Sequence, residues 1–409
     1  MQRLIGRTAL GLGLLLTFLG ACREKQPAYP PLLPEVQALI AQAEAAFAQQ
    51  QFSRAVALAD SAEALQPEHP DILFFKGRVY THMRLLDEAD SLYWLVARRV
   101  PDYAGVWHNL ANNAARRGQF REAIALFRRE LALRPNALSW RGIGRAYAEL
   151  GRPDSARLAL ETALRYDSTY AEAWLDLAEL NENEGRYDEA LRAARRAWEL
   201  APKSLVARYR LGNLLLLTGQ PAQARPLLES VVQEAPWHQA AHYSLGRVLQ
   251  QLGETEAARR MLERAEALRA LQAKVEQAEL LVANTPRDPY AYATLGSLLR
   301  RLGQYREALY AYQVAHFLAP DHLEFQNNMA VLHLLLGEED RAIALLEAAV
   351  QRDTTFVDGW INLGILYARQ GRREAARRAW EQALRLAPER PEPRRYLAGL
   401  TTIAPDTLR

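Results

Sequence analysis

From residue 36 onward the chain repeats itself about every 34 residues. Prolines or turn residues fall at Pro67, Pro101, Pro135, Ser168, Pro202 and Pro236, then at Pro320, Thr354 and Pro388, mostly in steps of 33 or 34. A period of this length restricts the fold more than any other property of the sequence. Each period is one supersecondary unit that cannot bury its own apolar stripe, so neighbouring units must stack to form a continuous core.

The units read as helix pairs. Across residues 103–117 and 119–134 apolar residues lie three or four apart, the stripe of an amphipathic helix, with Gly118 closing the first and Pro135 punctuating the second. Small residues recur in register at Ala43, Gly77, Ala111, Gly144, Ala178, Gly212, Gly246, Gly296, Ala330 and Gly364. Twelve residues after each comes a second small residue, from Ala55 and Ala89 to Ala342 and Ala376. Small side chains at both places let the two helices approach closely. Trp107, Trp140, Trp174, Tyr292 and Trp360 stand four places before the first small residue and are expected to pack in the core.

With these landmarks agreeing across ten copies, the chain resembles the tetratricopeptide repeat family, whose 34-residue unit is a helix–turn–helix. The resemblance implies an all-α, right-handed superhelical solenoid of about ten units with a concave inner face. Repeats 1–7 occupy residues 36–272 and repeats 8–10 residues 289–388. The seventh unit starts at Gln239 and the eighth at Pro289, 50 residues later, which places an insert at 273–288 that extends the second helix of repeat 7. Glu254–Ala283 contains no Gly or Pro and keeps Met261, Ala265, Leu268, Leu271, Val275, Ala278 and Val282 on one seam. The added length is about 4.4 helical turns at 3.6 residues per turn, so the eighth unit meets a rotated face. The expectation is an offset that divides the array into lobes of seven and three repeats, with an exposed seam as a potential docking surface. Residues 389–409 are expected to hold a capping segment, Pro391–Leu400, and a tail.

Residues 1–21 read as a signal peptide, with Arg3 and Arg7 before an apolar run from Ala9 to Leu19 that is too short to span a bilayer. The run ends in Leu19-Gly20-Ala21-Cys22, which resembles the lipobox of bacterial lipoproteins. That resemblance implies cleavage before Cys22 and acylation of Cys22, the only cysteine of the chain, with residues 22–35 as a proline-rich tether. Several acyl chains would give stable membrane attachment. Arg23 stands where many inner-membrane lipoproteins carry aspartate, so the expected location is the outer membrane facing the periplasm of a two-membrane bacterium.

Little in the chain suggests catalysis. A single cysteine excludes an intramolecular disulfide, a cysteine-based zinc site and a Cys-x-x-Cys redox pair. No nucleophile elbow, phosphate-binding glycine loop, zinc-protease helix or EF-hand loop is present. His238 and His242 are four apart, but Gln239 stands where a zinc protease needs glutamate. Gly142-Ile143-Gly144 lies inside a helix pattern with no strand before it. A formal charge of +3 offers no nucleic-acid footprint. The expectation is no enzyme activity, no cofactor, no metal and no nucleic acid.

What remains is the inner face. In tetratricopeptide repeats the first helix of each unit lines the groove, and the corresponding positions here form the candidate partner-binding set. Repeat 3 supplies His108, Asn109, Asn112 and Arg116; repeat 4, Arg141 and Arg145; repeat 5, Asp176 and Glu179. Repeat 6 supplies Tyr209, Arg210 and Asn213, and repeat 7 Tyr243 and Arg247. Amides suit the backbone of an extended peptide and arginines pair bidentately with carboxylates. The acidic stripe of repeat 5 lies between arginines, so mutual neutralisation is the competing expectation. The resemblance implies a lipid-anchored, extracytoplasmic scaffold that binds a protein partner of the cell envelope. The alternative is a glycan- or polysaccharide-binding accessory using Tyr209, Trp237, Tyr243 and Tyr290 as stacking surfaces.

Overall fold

The computed structural model describes residues 29–402. Arg3, Arg7, Cys22 and the signal peptide lie outside the described residues. Among the described residues the chain forms 21 helices and no strand. Repeats 1 to 3 are α1 (Pro34–Ala48) with α2 (Phe52–Leu65), α3 (Pro70–His82) with α4 (Leu86–Arg99), and α5 (Val106–Arg116) with α6 (Phe120–Leu133). Repeats 4 and 5 are α7 (Ala137–Glu149) with α8 (Pro153–Tyr166), and α9 (Ala171–Asn183) with α10 (Tyr187–Leu200). Repeats 6 and 7 are α11 (Leu205–Leu217) with α12 (Pro221–Glu234), and α13 (Gln239–Gln251) with α14 (Thr255–Asn284). Repeats 8 to 10 are α15 (Pro289–Leu302) with α16 (Tyr305–Leu318), α17 (Leu323–Leu335) with α18 (Glu339–Arg352), and α19 (Val357–Arg369) with α20 (Arg373–Leu386). A last helix, α21 (Pro391–Thr402), packs on α20.

The recurring residues account for the pairing. A Cβ at Gly144 would come within 2.7 Å of Leu160 Cγ, and one at Gly364 within 2.3 Å of Trp380 Nε1, so only hydrogen permits the helices to close there. Trp107 is 1% exposed, and its indole N–H donates to the Pro101 carbonyl at 2.8 Å. Trp174 and Trp360 make the same bond to Ser168 and Thr354, tying each first helix to the turn six residues before it. In repeat 7 His242 occupies the tryptophan position, with Nε2 at 3.1 Å from the Pro236 carbonyl. His238 caps α13 by accepting from Ala241 N–H. Both members of the i, i+4 histidine pair thus serve the repeat architecture.

The turns within pairs need a left-handed residue. Glycine supplies it in repeats 3 to 10, from Gly118 (φ 75) to Gly371 (φ 72). In repeats 1 and 2 the residue is instead Gln50 (φ 59) and Arg84 (φ 63). A side chain in this region costs about 1 kcal/mol relative to glycine.

First helices touch their successors from α3 through α13, and again between α17 and α19. The insert is absorbed in α14, one continuous helix of 30 residues, about 45 Å long at 1.5 Å per residue. Its seam departs from expectation. Ala265, Leu268, Val275, Ala278 and Val282 are buried, because α13 packs along α14 on one side and α15 follows on the other. The seam is therefore core and not an exposed docking surface.

Nor do repeats 8–10 stand apart as a separate lobe. One hydrophobic cluster joins Phe52, Phe75, Met83 and Leu85 of repeats 1 and 2 to Tyr292, Tyr312, Phe325 and Met329 of repeats 8 and 9. The array closes on itself. At the start of the described chain, within the expected tether, Tyr29 donates to the Asp71 carboxylate at 2.9 Å and the Pro30 carbonyl lies 2.8 Å from His69 Nε2. Tyr103 also donates to Asp71, at 2.6 Å. Burial and the Asp71 carboxylate push the Tyr29 hydroxyl up to about 12.

Candidate functional site

The first helices present a polar inner face, and most of its residues bind the neighbouring repeat. Each such bond spans about one period, from one first helix to the next. His108 Nδ1 lies 3.0 Å from the hydroxyl of buried Ser139, with its ring edge-on to Phe127. Arg141 grips Asp176 through two bonds of 2.5 and 3.3 Å and also donates to Tyr170. Arg210 donates to Glu179 at 2.8 Å and to Glu182 at 3.0 Å. Asn213 donates to Glu182 and accepts from Ser244, which extends the ladder to repeat 7. Asn362 continues it at the far end, donating to Asn327 at 2.7 Å.

The acidic stripe of repeat 5 is therefore neutralised by Arg141 on one side and Arg210 on the other. Burial pushes the Asp176 carboxyl above its ordinary value, while hydrogen bonding and charge from Arg141 oppose that shift. Removing either partner of this half-buried pair would leave a charge without compensation.

The other candidates fall into two groups. Asn109 bonds its own helix, donating to the Gly105 carbonyl at 2.8 Å, and the Tyr209 ring packs tilted against His238 with ring centroids 4.6 Å apart. Arg116 donates to the Thr81 carbonyl and lines a cavity of about 880 Å³ beside the loop 283–288. Asn112, by contrast, makes no side-chain hydrogen bond among the described residues, and Arg145 and Arg247 form no ion pair there. Both arginines are exposed, and Tyr243 is 48% exposed, with its hydroxyl accepting only from Arg247.

Tyr243 and Arg247 border a pocket of about 360 Å³ in repeats 6 and 7, together with Tyr209, Asn213, Leu217 and Ser244. Leu217 is 50% exposed at its edge. The pocket combines an aromatic ring, an aliphatic side chain, polar groups and a cation without a carboxylate partner. Such a set can take an apolar side chain flanked by an acidic group. Among the described residues no cluster of His, Cys, Asp and Glu is arranged to hold a metal ion.

Two buried asparagines lie beside this face and escaped the sequence reading. Asn113 is fully buried and donates to Asp90 at 2.7 Å and Thr81 at 3.2 Å. Asn181, two periods later, accepts from Arg157 at 2.6 Å. Their signal was a polar residue in the otherwise apolar stripe.

Stacked helix pairs with a groove of first helices define the class: an α-helical repeat protein built to present an extended inner surface. The chain belongs to the tetratricopeptide repeat family. One tetratricopeptide repeat model matches residues 40–104, 108–164, 142–204 and 293–355, and two others match 182–228, 215–280 and 357–390. The chain is similar to the Protein CTR9 homolog of Arabidopsis thaliana, 24% identical over 324 residues, covering 78% of this chain but only 29% of that protein. It is also similar to Photosystem I assembly protein Ycf3 of Synechococcus sp. (strain WH7803), 30% identical over 133 residues, 27% of this chain and 77% of that protein. Among solved structures, TTC0263, a thermophilic tetratricopeptide repeat protein of Thermus thermophilus, is 28% identical with a TM-score of 0.40, covering 44% of this chain and 99% of that one.

Proposed function

We propose that the chain is a non-catalytic scaffold or adaptor that holds a polypeptide of the cell envelope on its inner face while a larger complex assembles. Acyl chains on Cys22 would tether it to a membrane outside the cytoplasm, facing the periplasm. The observation that carries the reading is the division of the inner face. Once the polar ladder has satisfied most side chains, Asn112, Arg145, Tyr243 and Arg247 remain outside it, and Tyr243 and Arg247, which bond only each other, border the pocket of repeats 6 and 7. An arginine without a carboxylate partner, Arg247, at the edge of an aromatic pocket suits an extended segment that carries an apolar anchor and a carboxylate. The name of the photosystem assembly relative is consistent with an assembly role.

The glycan alternative draws on fewer rings than the sequence suggested. Trp237 packs against the core cluster, and a Cβ at Gly303 would lie 3.7 Å from its ring. The Tyr209 ring lies tilted against His238, which leaves Tyr243 as the open ring of the pocket, while Tyr290, 56% exposed, stands apart in repeat 8 against His322 and Phe325.

Photo-crosslinking in cells from Asn112, Arg145 and Tyr243, with Arg192 on the outer face as control, tests the proposal. The expected result is one envelope polypeptide enriched from the inner positions alone. Equal capture from Arg192 would reject the groove. Retention of sugar, lost in Tyr243→Ala, would favour the glycan reading instead.

A further inference from the structure

Residues 29–33, ahead of α1, are fixed to the array. Tyr29 donates to the Asp71 carboxylate at 2.9 Å, beside Tyr103, which donates to the same carboxylate at 2.6 Å. The Tyr29 ring is edge-on to His69, with centroids 5.2 Å apart, and the Pro30 carbonyl lies 2.8 Å from His69 Nε2. Gln66 completes the clamp: its Oε1 accepts from the Leu33 N–H at 3.0 Å, and its Nε2 donates to the Pro31 carbonyl at 3.1 Å. These partners belong to the turns that join repeat 1 to repeat 2 and repeat 2 to repeat 3, so the segment is held at one end of the helix pairs.

The clamp limits how far the array can stand from anything attached at Cys22. Cys22 lies seven residues before Tyr29, a span of at most about 25 Å at about 3.6 Å per residue. Counted instead to Pro34, where α1 begins, the limit would be about 43 Å over twelve residues. A lipid on Cys22 therefore keeps the clamped end within about one helix length of its membrane, since the 14 residues of α2 span about 21 Å.

The two ends of the helix pairs differ in what they expose. At the clamped end of repeats 1–4, Leu33, Leu65, Leu133, Leu138 and Tyr166 are between 42% and 57% exposed. Leu65, Leu133 and Tyr166 are the last residues of α2, α6 and α8, and Leu138 is the second residue of α7. The other large apolar residues exposed in these repeats, Trp94 and Leu158, lie in the middle of α4 and α8, away from the turns within pairs. At the other end, the turns of repeats 1 and 2 are met by repeat 8: the Tyr310 hydroxyl donates to the His82 carbonyl and the Tyr292 hydroxyl to the Met83 carbonyl at 3.1 Å. Charge does not select what meets the clamped end, because Arg98, Arg99 and Arg134 alternate there with Glu68, Asp102 and Asp167. Apolar side chains gathered at one end, with an anchor leaving from that same end, suit the interface of a bilayer.

We propose that the clamped end of repeats 1–4 rests on the membrane surface, with Leu33, Leu65, Leu133, Leu138 and Tyr166 at the level of the lipid headgroups. The end met by repeat 8 points away from the bilayer. The orientation rests on the acylation of Cys22 proposed above; the clamp itself does not.

The test uses the full chain made in a two-membrane bacterium and reconstituted in vesicles of phosphatidylethanolamine and phosphatidylglycerol that include lipids with a nitroxide on the headgroup. A thiol-reactive fluorophore is placed at Asp102→Cys, at the clamped end, or at Gln119→Cys, in the turn within repeat 3 at the other end. Acylated Cys22 takes no label, so the unsubstituted chain reports the anchor separately. The expected result is quenching several-fold stronger at Asp102→Cys than at Gln119→Cys. Leu65→Glu with Leu133→Glu, both at exposed positions, should abolish that contrast at unchanged helical circular dichroism and unchanged membrane retention. Equal quenching of the two labels, or a contrast that survives the double substitution, would overturn the orientation while leaving the anchor in place. A free, labelled Cys22 in the unsubstituted chain would overturn the anchor, and the orientation with it.

Discussion

At the scale of the residue, the fold depends on missing atoms as much as on present ones. Gly144 lies where Leu160 and the Ala156 carbonyl leave no space for a side chain. Gly144→Val is expected to destabilise the protein by about 1–3 kcal/mol through overpacking, read from the midpoint of urea unfolding. His108 illustrates the cost of a titratable group in a helix seam. Burial holds its pKa below the usual 6.5, and the neighbours of its ring, Ser139 from α7 and Phe127 from α6, carry no charge. The neutral form is the one the fold prefers, and the unfolded chain takes up the proton first. Its contribution is therefore complete above 6.5 and is lost as pH falls below that value towards its depressed pKa. The melting temperature should decline in that range, and His108→Gln should flatten the decline; an identical slope in both proteins would remove His108 as its source.

At the scale of the element, α14 decides the geometry. Its 30 residues extend the second helix of repeat 7 so that α15 packs farther along it, on the face carrying Leu268, Val275 and Val282. Deleting residues 273–288 returns the interval from Gln239 to the next first helix to 34 residues. The expected outcome is a regular stack of α13 against α15, loss of the contact between Tyr310 and His82, and a larger radius of gyration in small-angle scattering. A radius unchanged from the parent would show that closure does not depend on the insert. The polar ladder also belongs to this scale. Arg141, Asp176, Arg210 and Glu179 were recognisable as inner-face residues from their register alone. Whether they face a partner or one another depends on how far each first helix is rotated from the last, which the register does not state.

At the scale of the whole molecule, the sequence by itself determined the local units. The 34-residue period, the glycine and proline punctuation and the spacing of apolar residues set the helix pairs, their order and the uninterrupted run of α14. These follow from interactions within one or two periods, where spacing along the chain fixes spacing in space. Tertiary structure alone decided the closure of repeats 1–2 on repeats 8–9, the covering of the α14 seam and the pairing of the inner-face charges. Closure depends on the rotation between repeats summed along the array together with the length of α14, and a small change in each step displaces the far end by many ångströms. A trace of it was nevertheless present in the sequence: Gln50 and Arg84 stand where the other eight repeats have glycine. Without the structure those substitutions read as two imperfect turns. Only the three-dimensional path of the array shows that one turn borders a cleft with repeats 8 and 9 and the other a cleft with the loop 283–288.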